Sequence, residues 1–325
     1  MRRQVMASIA IDRINKLLIT PYVKESRKTG SRYPSSSSAS YINKYGEEVV
    51  VGSCLRRQWY SNQGYEEVGR SDPQGTMKAL AGNLWSEFLV DRIKEAGFWY
   101  GDEVRFYNEE LNASGRVDVI VSEEDTGHPV GVEIKTVGTF VARGVIKPTA
   151  MYPLAPKEDH ILQTIIYLYH YRNAIKKWVL LYMDRNTMEM AEHIVRLVQG
   201  KDGYHYPVIS NDMGVKEWTH IRLEDIIKRW QDLEIHIKNK TLPERDYKLQ
   251  YSNSHIVELH GTGRLTKTDT KRIQRRVESG DVGDDQAPLL QKGDWQCSYC
   301  PFLQECYREE IGAQDVSEEQ ADAKL

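Results

Sequence analysis

The sequence predicts an α/β protein: a mixed central sheet flanked by helices, with a helical N-terminal segment and a cysteine-rich C-terminal segment. Three observations carry this expectation. Strand-like and helix-like runs follow one another in the order α-β-β-β-α-β, which favours a mixed sheet over a bundle or a sandwich. Charged residues interrupt strands that are otherwise apolar. Three of the four cysteines fall within ten residues near the C-terminus, too tight for a disulfide framework and suited to a metal or cluster.

Taken in order, residues 7–28 have Ile9, Ile11, Ile14, Leu17, Leu18 and Tyr22 at amphipathic helical spacing. Ser35 to Ser38 read as a polar loop, and Cys54 opens a short helix running to Tyr60. Met77 to Ala96 is a strong helical pattern stopped by Gly97. Glu103–Tyr107, Arg116–Val121 and Val130–Thr136 read as strands, the last two a hairpin around Glu124-Asp125-Thr126-Gly127. His160 to Lys177 predicts a second helix, Trp178–Asp184 and Met188–Val195 a further hairpin, and Leu223 to Lys238 a third helix. Residues 246–294 look polar and irregular, and the last dozen look disordered. Three segments follow: 1–75 with the first cysteine, 76–200 as the core, and 201–325 with a basic insertion and the cysteine triplet.

The formal net charge is −3, so a polyanion site has to come from local clustering of Lys and Arg. No apolar run approaches the roughly 20 residues that span a bilayer, so no membrane partner is expected. Met1-Arg2-Arg3-Gln4 leads into an amphipathic stretch containing Asp12, not an apolar leader core, so a secretory signal is not expected, and the clustered cysteines favour a reducing, cytoplasmic compartment. A Gly-x-x-x-x-Gly-Lys-[Ser/Thr] loop is missing, so the chain is expected to carry no nucleotide-driven motor of its own.

The sharpest local feature is Asp118 within Gly115-Arg116-Val117-Asp118-Val119, followed by Val132-Glu133-Ile134-Lys135-Thr136. If these segments pair, Asp118 and Glu133 lie together, and strand alternation sends Glu133 and Lys135 to one face. Two carboxylates in apolar surroundings repel each other unless a cation neutralises them. Mg²⁺ or Mn²⁺ suits carboxylate, water and carbonyl ligands, and the Ile134 carbonyl is a candidate third ligand. Lys135 is then placed to act on a water and on phosphate charge.

Asp118 followed by Glu133-x-Lys135 resembles the signature of the PD-(D/E)xK nuclease superfamily. Gln163 and Tyr167, one helical turn apart, resemble the QxxxY motif of its RecB-like branch, where both residues face the site. The resemblance implies a restriction-endonuclease-like core and hydrolysis of DNA, as an exonuclease on single strands or ends. Its opening helix usually carries Gly-x-x-x-His; here Gly82 is followed at that spacing by Ser86, and Glu87 is the candidate replacement ligand.

Cys297, Cys300 and Cys306 form C-x₂-C-x₅-C, leaving one ligand position that Cys54 can fill. One early and three late cysteines bracketing the motifs resemble the iron–sulfur nucleases of this branch, which include the CRISPR-associated RecB-like exonuclease and the AddB nuclease domain. That likeness implies a [4Fe–4S] cluster joining the N- and C-terminal segments; spacing alone leaves zinc as the alternative. Candidate phosphate contacts are Arg56, Arg57, Arg143, Lys147 and the run Arg264, Lys267, Lys271, Arg272, Arg275, Arg276. Two other readings use the same residues: a weak or inactive nucleic-acid-binding subunit with a structural Cys₄ site, and a structure-selective endonuclease.

Overall fold

A computed structural model describes residues 30–67, 73–150 and 152–308. The amphipathic pattern at 7–28 and the charged C-terminal dozen lie outside the described residues. In chain order the elements are β1 (Ser38–Ile42), β2 (Glu48–Gly52), α1 (Leu55–Asn62), α2 (Pro73–Ala96), β3 (Trp99–Asn108), β4 (Ala113–Ser122), β5 (Pro129–Val137), α3 (Thr139–Val145) and α4 (Glu158–His170). They continue with β6 (Trp178–Asp184), β7 (Met190–Gln199), β8 (His205–Asn211), β9 (Gly214–Glu217), α5 (Leu223–Asn239), α6 (Asn253–Gly261), α7 (Lys267–Glu278), α8 (Trp295–Ser298) and α9 (Leu303–Tyr307). The described residues fall into two compact units, one drawn from Met1–Ser53 and Ser71–Thr241, the other from Cys54–Arg70 and Leu242–Leu325.

The first unit is mixed α/β, with a large, mostly antiparallel sheet flanked by helices. Seven strands run in the order β3-β4-β5-β6-β7-β8-β9, and only β5 and β6 pair in parallel. Parallel neighbours need a long crossover; here it contains α3 and α4. The β5 sequence alternates cleanly. Val130, Val132 and Ile134 pack with Val119, Val121 and Val90 against the α2 side, while Glu133 and Lys135 leave from the opposite face. Gly97, in the left-handed region at φ +83°, ends α2 as expected.

Helix α4 is buried nearly all round, from Ile161 to Leu168. A helix so enclosed must satisfy its polar members internally, and it does so through Gln163, Thr164 and Tyr167. It is shorter than the sequence suggested. Its last turn is closed by the Tyr171 N–H donating to the Tyr167 carbonyl at 2.9 Å and by Arg172 donating to the Tyr169 carbonyl at 2.8 Å, and the chain then turns toward β6.

Two expectations need correction, and one hairpin had no expectation at all. Ser35–Ser38 is no polar loop: Pro34–Ser36 is a short 3₁₀ turn and Ser38 starts β1, fully buried, its hydroxyl accepting from Arg229 at 2.8 Å. Strands β8 and β9 were not anticipated; they form a tight hairpin at Asp212-Met213 closed by Gly214 at φ +113°. Residues 246–294 hold two helices. Ser252 caps α6 by accepting from the His255 amide at 3.3 Å, and Thr266 caps α7 by accepting from the Asp269 amide at 3.1 Å.

The second unit has its own small core of Ile256, Ile273, Leu289 and Leu290. Its early segment is tied to its late one. Asp246 accepts from the Leu55 amide at 2.6 Å, Arg56 donates to the Pro243 carbonyl at 2.6 Å, and Tyr60 stacks on Phe302 with centroids 5.6 Å apart.

Candidate active site and cysteine set

The β4–β5 ladder pairs Val119 with Val132, so Asp118 and Glu133 are the next residues opposite each other. Asp118 Oδ2 accepts from the Ile134 N–H at 2.8 Å. Glu133 is 3% exposed. Its Oε1 accepts from Lys135 Nζ at 2.7 Å and from Gln163 Nε2 at 2.8 Å. The same Gln163 nitrogen donates to the Tyr167 hydroxyl at 2.7 Å, and Gln163 Oε1 accepts from Lys135 at 3.1 Å. The Tyr167 hydroxyl in turn donates a hydrogen bond to the Arg116 carbonyl at 3.2 Å. The amide of Gln163 is thereby oriented, nitrogen toward the carboxylate and oxygen toward the ammonium. Four residues nominated from the sequence, Glu133, Lys135, Gln163 and Tyr167, thus share one hydrogen-bonded network, and the fifth, Asp118, lies opposite Glu133 beside it.

The electrostatics follow from burial. Burial, then the nearby Glu133 charge, pushes the Asp118 carboxyl up to about 7. Burial pulls the Lys135 ammonium down, but Glu133 and Asp118 outweigh it and the net shift is upward, keeping Lys135 charged. Burial raises the Tyr167 phenol well above its ordinary value, so it stays protonated as a donor. The second carboxylate oxygen, Glu133 Oε2, is buried and has no hydrogen-bond partner. An orphaned acceptor of that kind is costly unless something outside the protein satisfies it.

One glycine makes room for the network, and another lets α2 pack on the other face of β5. A Cβ on Gly131 would lie 2.4 Å from the Trp178 indole, so its absence lets that ring lie across β5. Trp178 in turn packs against Tyr167, centroids 5.0 Å apart, and helps fix the phenol. A Cβ on Gly82 would lie 3.0 Å from Thr136 Oγ1, so Gly82 marks where α2 approaches β5 closely.

The other nominated residues add no side chain to these hydrogen bonds. Glu87 is exposed on α2, and none of the hydrogen bonds just described reaches it. Ile134 contributes its N–H to Asp118 while its side chain packs on the α2 side. Lys147 is paired with Glu189. Among the described residues no group of three or more His, Cys, Asp or Glu is arranged to hold a metal ion; Asp118 and Glu133 stand as a pair.

All four cysteines belong to the second unit, and each is a free, half-buried thiol. Burial pushes the Cys297 thiol up to about 12, with Cys54 and Cys300 close enough to add to it. Burial likewise raises Cys300, which also feels Cys306. The thiols are therefore neighbours, without three of them standing at ligand distance. Arg56 Nη1 lies 3.8 Å from Cys306 Sγ.

In the basic run, Arg264 pairs with Glu258 at 2.8 Å and Arg276 with Asp281 at 3.0 Å. Lys267, Lys271, Arg272 and Arg275 are exposed on α7, on the arc facing away from its buried residue Ile273.

The sequence reading missed His160 and Tyr182. Tyr182 pairs with Lys135 across the parallel β5–β6 ladder, and His160 Nδ1 lies 2.7 Å from the Tyr182 hydroxyl. The signal for His160 was present: it precedes Gln163 by one turn on the same helix face.

No family model matches the chain, and no curated protein does. Among solved structures, one titled "Crystal structure of SSO0001" aligns over 95% of this chain and 99% of its own, with 14% sequence identity and a TM-score of 0.43. A likeness that loose carries no argument about fold family or function. Among the described residues no helix is long and apolar enough to cross a membrane.

Proposed function

We propose that this protein is a metal-dependent deoxyribonuclease of the PD-(D/E)xK, RecB-like kind, acting as an exonuclease on single-stranded DNA or DNA ends. One observation carries the reading. Glu133 is buried beside Asp118, with one oxygen held by Lys135 and Gln163 and the other left without a partner. That donor set fits a hard divalent cation. When bound between Asp118 and Glu133, Mg²⁺ or Mn²⁺ would polarise the scissile phosphate and acidify a water near it.

The protein's own groups do the rest. Lys135 presents a fixed positive charge where phosphate charge builds, in a site where water screens it little. Gln163 holds Glu133 and Lys135 in register, so neither carboxylate nor ammonium reorients during the reaction. Tyr167 anchors that amide to the β4 backbone. The exposed cations of α7 supply sequence-independent affinity for a phosphate backbone.

The four cysteines fit a [4Fe–4S] cluster, with zinc as the alternative occupant: they are thiols within one unit, free of disulfides and close enough to feel one another's charge. Such a group would tie the Cys54 segment to the C-terminal triplet. A helicase or recombination partner would provide any unwinding.

Calorimetric titration with Mn²⁺ tests the reading. Wild-type protein should bind the ion and Asp118→Asn should bind it at least about tenfold more weakly, since a carboxylate ligand becomes a neutral amide. Equal affinity in the two proteins would remove Asp118 from the metal site.

A further inference from the structure

Tyr182 of β6 is the cross-strand neighbour of Lys135 of β5, so the two side chains leave the sheet on the same face. Its side chain is fully buried. The Tyr182 oxygen accepts from the Lys157 N–H at 3.1 Å and meets His160 Nδ1 at 2.7 Å. A phenol has one proton to donate, and a buried one needs a protein acceptor. Among the described residues His160 Nδ1 is the acceptor in reach. The Tyr182 proton therefore points at Nδ1, and the imidazole carries its own proton on Nε2.

Burial, and then the charge of Lys135, hold His160 down at about 3, so the ring is neutral at any working pH. It is half-buried, not sealed, and its Nε2 has no hydrogen-bond partner among the described residues. The result is an uncharged N–H, fixed in direction by Tyr182, beside the Lys135 ammonium and one helical turn from Gln163.

We propose that His160, held in its Nε2–H tautomer by Tyr182, donates a hydrogen bond to a non-bridging oxygen of the phosphodiester that Lys135 faces. This rests on the phosphodiesterase reading and adds a second substrate-contacting donor to it. Lys135 supplies charge, and His160 supplies direction. A neutral donor complements the developing charge without adding a second buried cation next to the ammonium.

The test is steady-state cleavage of an end-labelled single-stranded oligonucleotide by His160→Phe, His160→Gln and Tyr182→Phe, with Lys135→Ala as the inactive reference. Nitrogen NMR of the His160 ring reads the tautomer independently of activity. His160→Phe should lose about 10- to 100-fold in kcat, the range for a hydrogen bond to a charged group. His160→Gln, which keeps an N–H near the same place, should recover most of it. The wild-type ring should show a proton on Nε2 and none on Nδ1, and Tyr182→Phe should let the Nδ1–H form appear.

Wild-type rates from His160→Phe beside a dead Lys135→Ala would overturn the role of His160 and leave the nuclease reading standing. A proton on Nδ1 of the wild-type ring would overturn the lock. Should His160→Phe fail to fold, Tyr182→Phe carries the test, and an unchanged kcat with an unchanged tautomer would overturn the proposal. No cleavage by wild-type protein with either Mg²⁺ or Mn²⁺ would overturn both readings together.

Discussion

Gly131→Ala is a one-carbon test of how the site is assembled. The added Cβ would sit 2.4 Å from three atoms of the Trp178 indole, about 1 Å inside ordinary van der Waals contact. Trp178 has nowhere easy to go: it is fully buried and packs against Tyr167 and Tyr171, with centroids 5.0 and 6.1 Å away. Overpacking of a closed core costs about 1–3 kcal/mol. For a unit of this size each kcal/mol lowers Tm by about 2–4 °C, so the variant should melt roughly 2–12 °C below wild type. Thermal unfolding followed by tryptophan fluorescence reads this directly. Trp178→Phe in the Gly131→Ala background should cost less than the sum of the two single changes, because the smaller ring makes room for the methyl. An unchanged Tm for Gly131→Ala, or strict additivity in the double variant, would refute the packing argument.

Cys54→Ala and Cys306→Ala should lose iron, or zinc, to the same extent and melt earlier by similar amounts; full metal content in Cys54→Ala would make Cys54 a plain half-buried thiol. His193 is buried, donates from Nε2 to the Val145 carbonyl at 2.7 Å and faces Asn211 through Nδ1, and burial pushes its pKa below the ordinary 6.5. The unfolded chain therefore takes up this proton first, so the stabilising contribution is complete above about pH 6.5 and falls as the pH drops toward the folded-state value, by up to about 1.4 kcal/mol per pH unit. Urea titrations of wild type and His193→Gln between pH 7 and 5 should show the steeper loss in wild type; parallel curves would contradict it.

The network around Glu133 was legible because each link depends on a local period. Alternation along one strand places Glu133 and Lys135 on one face, and a four-residue step along one helix aligns Gln163 with Tyr167. The hairpin turn at Gly127, φ +67°, joins β4 to β5 and brings Asp118 opposite Glu133. Tyr182 was illegible for the opposite reason. Its place beside Lys135 depends on a parallel pairing across a long crossover, and no spacing in the sequence records that register. The α6 and α7 helices hid behind polar composition, although Ser252 and Thr266 were readable as caps. Ser38 misled because a buried hydroxyl satisfied by Arg229, 191 residues away, looks in sequence like any loop serine.

The central claim is that Asp118, Glu133 and Lys135 hydrolyse phosphodiesters with a divalent metal. Anaerobically purified protein incubated with Mg²⁺ or Mn²⁺ and end-labelled linear single-stranded DNA, beside a circular strand of the same sequence, tests it most directly. The account predicts metal-dependent shortening of the linear strand, little attack on the circle, and no product from Lys135→Ala although that variant still binds DNA. Cleavage by Lys135→Ala at the wild-type rate, or none by wild type with either metal, would contradict it.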